Sequence, residues 1–360
     1  MKFGWKVVKE MKKVLSLILV TVLCFGMFSC STAEDNQNKV IEQKPMVVVI
    51  TDVGGIGDHS FNDATLAALE KVKDDEDIDI RCLESESVRD YDSVIKEAVN
   101  EDATLIIAVG SNMKNAINKA AMANPDKHFG IIDANIDAEN IKSVSFADNE
   151  SAFLAGYVAA SNSETGVIGF VGGEERPTVD LFKYGYMAGA KAANPNIKVE
   201  TEYVGTFYND DKCYDIATKM HKDKKADVIM HVAGASGLGV IKSAKENKYW
   251  AIGADKDQSH LASNNVLCSA TKNMEPALEQ MVKMALKNKF EGEYVLYNLK
   301  DEGVILSDNA GNIKGDLKDQ IKKLTKAIEN GDIKVPVDIE GVNSFKLPDN
   351  LKAKTKEDEK

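Results

Sequence analysis

From residue 46 onward, apolar positions alternate between two rhythms. Short β-branched runs occupy 47–51, 78–83, 104–109, 128–132 and 141–146. Between them, apolar residues recur every three or four positions, as at Leu66, Leu69 and Val72, which predicts helices over 62–72, 91–100 and 114–123. The pattern then starts again. Strands are predicted at 167–171, 197–204, 226–232, 250–253 and 266–270. Helices are predicted at 151–160, 179–193, 211–222, up to 245, and 274–286. A strand near 303–306 and a helix near 317–328 complete the series. Strands alternating with helices of this length make βαβ units, so the fold class is α/β with mostly parallel sheets. No Pro- or Ser-rich linker divides the two halves. Two lobes joined by three crossovers, near 146–149, 268–272 and 297–306, follow from that rhythm.

The first 45 residues break the pattern. Lys2, Lys6, Lys9, Lys12 and Lys13 precede an apolar run over 14–28, a positive head and a core too short to span a bilayer. Residues 1–29 are therefore expected to be a signal peptide, and Met11 to Cys30 alone also makes a compact one. Cys30 ends a stretch similar to a bacterial lipobox, although Met27 and Phe28 depart from the strict pattern. Cys30 is the expected lipid attachment point, 30–45 a polar tether to a membrane, and 346–360 a charged, disordered tail. An ordinary signal peptide with an incidental Cys30 is the alternative.

The net charge of −12 argues against a nucleic-acid surface. Beyond Cys30 the cysteines are Cys82, Cys213 and Cys268, an odd set with no disulfide or metal spacing. The five histidines show no metal spacing either, and neither a G-x-S-x-G elbow nor an H-E-x-x-H motif occurs. The chain is read as a non-enzyme without metal or cofactor.

Candidate chemistry gathers at strand ends. Asp52 leads into Gly54-Gly55-Ile56-Gly57, which fits neither a dinucleotide fingerprint nor a P-loop. The turn could bring backbone N–H groups to a ligand, or could be a tight turn capped by Asp58 or Ser60. Phe61 and Phe207 lie among polar neighbours. Each could cover a core edge, or the two could sandwich a planar base from opposite lobes. Asp255 follows a strand and could accept from sugar hydroxyls, or lie in a solvated loop. Lys272 stands at a crossover and Asp133 ends an apolar strand; each has a bland reading, as surface lysine and turn cap. Ser111 and the Gly234–Gly237 turn are weaker candidates.

Seven segments together make a more specific signature: DVGGIGDHSFND (52–63), SFADNESAFLAGYVAA (145–160), IGFVGG (168–173), YGYMAGAKAANPNIKV (184–199), VGTFYND (204–210), VAGASGLGVI (232–241) and IGADKDQ (252–258). Over about 46–345 the chain resembles the basic membrane protein family of bacterial lipoproteins, which includes a purine nucleoside receptor. The resemblance implies a two-lobe type I periplasmic-binding fold, with 46–147 plus 270–298 as one lobe and 148–269 plus 299–345 as the other. It implies stacking by Phe61 and Phe207, and polar contacts from Asn62, Asp255 and Lys272, with Asp52 and Asp133 at pocket positions. It further implies a monomer on the cell membrane that delivers a purine nucleoside, such as guanosine, inosine or adenosine, to an ABC transporter permease. The sequence departs from relatives at Gly57-Asp58-His59 and at Glu174-Glu175-Arg176-Pro177. A surface adhesin on the same fold, a binding protein for a different small ligand, and a nucleotide-dependent enzyme remain alternatives.

Overall fold

The computed structural model describes residues 44–353, apart from 288. Residues 1–43, with Cys30, lie outside the described residues. The first sheet contains β1 (Met46–Ile50), β2 (Asp79–Leu83), β3 (Leu105–Val109), β4 (Phe129–Ile132), β5 (Ile141–Phe146) and β11 (Glu293–Tyr297). Their spatial order is β11-β5-β4-β3-β1-β2, and every pairing is parallel. Burial explains the order. LIIAV of β3 is buried at every position and sits mid-sheet, whereas charged DIRCL and EYVLY form the half-exposed edges. Helices α1 (Phe61–Glu76), α2 (Tyr91–Asn100) and α3 (Lys114–Ala123) connect these strands.

The second sheet repeats the design. It is built from β6 (Val167–Gly172), β7 (Lys198–Tyr203), β8 (Val228–Val232), β9 (Trp250–Asp255), β10 (Val266–Lys272) and β12 (Val304–Ser307), in the order β12-β10-β9-β8-β6-β7. All its pairs are parallel except β12 with β10. Its helices are α4 (Asp148–Asn162), α5 (Pro177–Ala193), α6 (Asp210–Lys224) and α7 (Leu238–Asn247). Pro177 opens α5, where a missing N–H costs nothing.

The chain passes between sheets three times: from β5 into α4, from β10 into α8 (Glu275–Leu286), and from β11 to β12. Helix α8 packs on α1 of the first lobe. These passages position the site, because they bring the carboxyl ends of both sheets to one cleft. Helices α9 (Asp316–Glu329) and α10 (Ile339–Ser344) complete the second lobe. Among the described residues, no helix is long and apolar enough to cross a membrane.

Three sequence expectations need correction. β10 continues through Lys272 rather than ending at Ala270, because the lysine is buried against carboxylates instead of facing water. The stretch before the third passage holds a strand, β11, whose five residues at a sheet edge carry too weak an alternation to read. The expected tail does not begin at 346. Leu347 and Leu351 are buried, and the Gln320 amide donates to the Leu351 carbonyl at 2.6 Å, which ties residues up to Leu351 to α9.

Candidate functional site

Most strands whose carboxyl ends face the cleft deliver residues to it. In the first lobe, Asp52 follows β1, Gly110 and Ser111 follow β3, and Asp133 follows β4. In the second, Arg176 follows β6, Phe207 follows β7, Val232 and Gly234 lie at the end of β8, and Asp255 ends β9. With Phe61, Phe182 and Lys272 they line one cavity between the lobes. Ligand sites in open α/β sheets sit at these strand ends.

Asp133 and Asp255 occupy equivalent places in the two lobes, and both hold left-handed backbone, at φ 64° and 65°. Such conformations are unusual for a residue with a side chain and concentrate at functional sites. Between the two stands Lys272. Its Nζ lies 2.5 Å from Asp133, 3.2 Å from Asp148 and 4.0 Å from Asp255. It also sits 4.9, 5.5 and 5.6 Å from the ring centres of Phe61, Phe146 and Phe182. Burial pulls the ammonium's pKa down, but Asp133, Asp148 and Asp255 outweigh burial and raise it. Burial pushes the Asp255 carboxyl up to about 6, against the opposing pull of Lys272 and Ser60. It raises Asp148 too, and one Asp148 oxygen has no hydrogen-bond partner. Three carboxylates thus share one ammonium in a nearly dry setting.

The glycine turn resolves into separate jobs. Asp58 is the cap: its carboxylate accepts from the backbone N–H groups of Ser60 and Asn62, both at 2.9 Å, and of Asp63 at 3.1 Å. Ser60 is thereby free to reach the other lobe, where its Oγ donates to Asp255 Oδ2 at 2.7 Å. The Gln258 amide donates to the His59 carbonyl at 3.1 Å, a second bond between lobes. Asn62 does not line the cavity. It is buried, and its Nδ2 donates to Asp52 at 2.8 Å and to Asp58 at 3.2 Å, so it holds both carboxylates in place.

Phe61 and Phe207, both half-buried, line the cavity from different lobes. Gly173 makes room for the second ring: a Cβ there would come within 2.4 Å of two Phe207 ring carbons. Of the seven ligand-binding candidates read from the sequence, Phe61, Phe207, Asp255, Lys272, Asp52 and Asp133 line this one cavity. Reasoning from sequence missed Ser60, Asp148, Arg176 and Phe182 as site residues. Asp148 resembles an ordinary acidic helix start, and Phe182 an ordinary core residue of an amphipathic helix. No local signal marks them.

Two α/β lobes around a cavity lined by polar groups and aromatic rings define a solute-binding protein of the periplasmic type. Comparison with known proteins agrees. Residues 46–338 match the family of PnrA-like ABC transporter substrate-binding proteins, and the chain belongs to that family. It is 37% identical to basic membrane protein A of Borreliella burgdorferi, over 93% of this chain and 98% of that protein. It is 34% identical to the ABC transporter nucleoside-binding protein BmpA of Lactococcus lactis, over 80% of this chain and 88% of the relative. In fold it is similar to a solute-binding protein of an ABC transporter system from Aeropyrum pernix, with a TM-score of 0.75 and 24% identity over 83% of this chain and 96% of that one.

Proposed function

We propose that the chain is a lipid-anchored receptor that captures a purine nucleoside between its lobes and hands it to the permease of an ABC importer. The observation that carries the reading is the presence of Phe61 and Phe207 on one cavity from opposite lobes. A base between them stacks on both faces. Asp255 and Asp133 accept from the ribose hydroxyls, while Lys272 balances their charge. The bonds from Ser60 to Asp255 and from Gln258 to His59 hold the lobes together over the ligand. The nucleoside-binding relative from Lactococcus lactis supports the ligand class. No covalent step is required, so the protein acts as a receptor and not as an enzyme.

The test is calorimetry on Phe61→Ala and Phe207→Ala. Stacking of one base on one aromatic ring is worth about 1–3 kcal/mol, so each variant is expected to bind nucleoside about 5- to 150-fold more weakly. Unchanged affinity in both excludes the sandwich. The anchor is assigned to Cys30, on the cell membrane facing outward from the cytoplasm. Metabolic labelling with a radioactive fatty acid is expected to mark the wild type and to be lost in Cys30→Ser; label that persists in the variant refutes the assignment.

A further inference from the structure

The second lobe adds a cation to the cavity that the reading above does not use. Arg176 immediately precedes α5 in extended backbone, with φ −157° and ψ 159°. Its side chain is only 19% exposed, and its guanidinium carbon lies 5.0 Å from the centre of the Phe207 ring. Ring and guanidinium therefore share one wall. Glu174 in the same loop engages a single guanidinium nitrogen, and among the described residues no other hydrogen-bond partner meets the Arg176 side chain. A guanidinium carries five N–H donors in a planar fork and no acceptor. Part of the fork is left for a ligand.

The first lobe answers with Asp52. Its Oδ1 accepts from the Gly54 N–H at 2.9 Å and from Asn62 at 2.8 Å; its Oδ2 accepts no hydrogen bond among the described residues. Burial raises the Asp52 pKa, and the nearby charge of Arg176 counteracts that rise. The cavity thus offers a planar ligand a donor fork on one side and an acceptor on the other.

Purines differ on the edge such a pair would meet. Guanine and hypoxanthine present O6 and N7, both acceptors, next to an N1–H donor. Adenine presents an N6 amino donor beside N7, and its N1 is an acceptor. We propose that Arg176 and Asp52 make this cavity selective for 6-oxopurine over 6-aminopurine nucleosides, with Arg176 donating to O6 and N7 and Asp52 accepting from N1–H. The proposal rests on the nucleoside reading above and deepens it. Adenosine would meet two mismatches at once: its amino group faces N–H donors, and its N1 lone pair faces a carboxylate.

The experiment is calorimetry of guanosine, inosine and adenosine with the wild type, Arg176→Met and Arg176→Lys at neutral pH. Circular dichroism verifies that each variant is folded. The wild type is expected to bind inosine and guanosine at least about tenfold tighter than adenosine, the scale of discrimination that one bidentate arginine contact gives. Arg176→Met should shrink that ratio to within about threefold, and Arg176→Lys, which keeps the charge but loses the fork, should restore only part of it. Guanosine should also outbind 7-deazaguanosine, which lacks N7. A wild type that binds adenosine as tightly as inosine, or an Arg176→Met variant that keeps the wild-type ratio, overturns this assignment and leaves the nucleoside reading standing. A wild type that binds no nucleoside overturns both.

Discussion

At the scale of single residues, Asp255 is the group on which the proposed binding mode makes the site's response to pH depend. Its pKa is displaced to about 6 because closing the lobes over it removes water faster than Lys272 and Ser60 compensate. The folded protein therefore keeps a proton that the unfolded chain releases near pH 4. Stability from this group is fully present below the unfolded value and is lost as pH rises through about 6. In the proposed complex binding runs the other way, since an ionised carboxylate accepts from a ribose hydroxyl more strongly than a protonated carboxyl does. Nucleoside affinity is expected to rise with pH and level off above about 6, with a loss of up to about tenfold at pH 5, one unit below the midpoint. Calorimetry from pH 5 to pH 7.5 measures this, and Asp255→Asn should flatten the profile. A wild-type profile that is itself flat contradicts the role given to Asp255. The importance of Asp255 could be suspected from its place after a strand. Its left-handed backbone, and its link to Ser60, 195 positions away in the chain, could not. Both depend on how two lobes meet, and no local pattern encodes that.

At the scale of elements, the tightest packing lies between α4 and α5. Helix α4 is buried around nearly its whole circumference, and α5 crosses it at backbone contact. A Cβ at Gly185 would stand 2.1 Å from the Asn149 carbonyl oxygen, and one at Gly189 would stand 1.8 Å from that of Phe153. Backbone cannot yield as a flexible side chain can. Gly185→Ala is expected to lower stability by about 1–3 kcal/mol or more, the cost of overpacking a filled core. Urea unfolding checks this, and a variant as stable as the wild type would show that the helices can separate freely. Most elements were readable from periodicity, because a buried parallel strand and an amphipathic helix leave distinct traces. Where both faces are covered, as in α4, polarity ceases to report burial: Asp148, Asn149 and Ser151 are buried, although each looks solvent-facing in sequence. Edge strand β11 failed for the opposite reason, since partial exposure blurs its alternation.

At the scale of the whole molecule, three passages between sheets leave the lobes hinged, and side chains from both lobes bond across the cleft. The repetition of the βαβ rhythm made two lobes legible, as did the long matching segments. The composition of the cavity was legible only in part. Rings and carboxylates at strand ends stood out, whereas the arginine before α5 drew notice only as a departure from relatives. A hinged pair of lobes that grips its ligand predicts that binding and compaction occur together. The central claim is that a purine nucleoside is the ligand of this cleft. Titration of guanosine, inosine and adenosine into purified protein, with heat recorded directly, tests it most simply. The account predicts saturable binding of one nucleoside per chain, at micromolar dissociation constant or tighter. Absence of heat with all three, from protein freed of any carried ligand by unfolding and refolding, would contradict it.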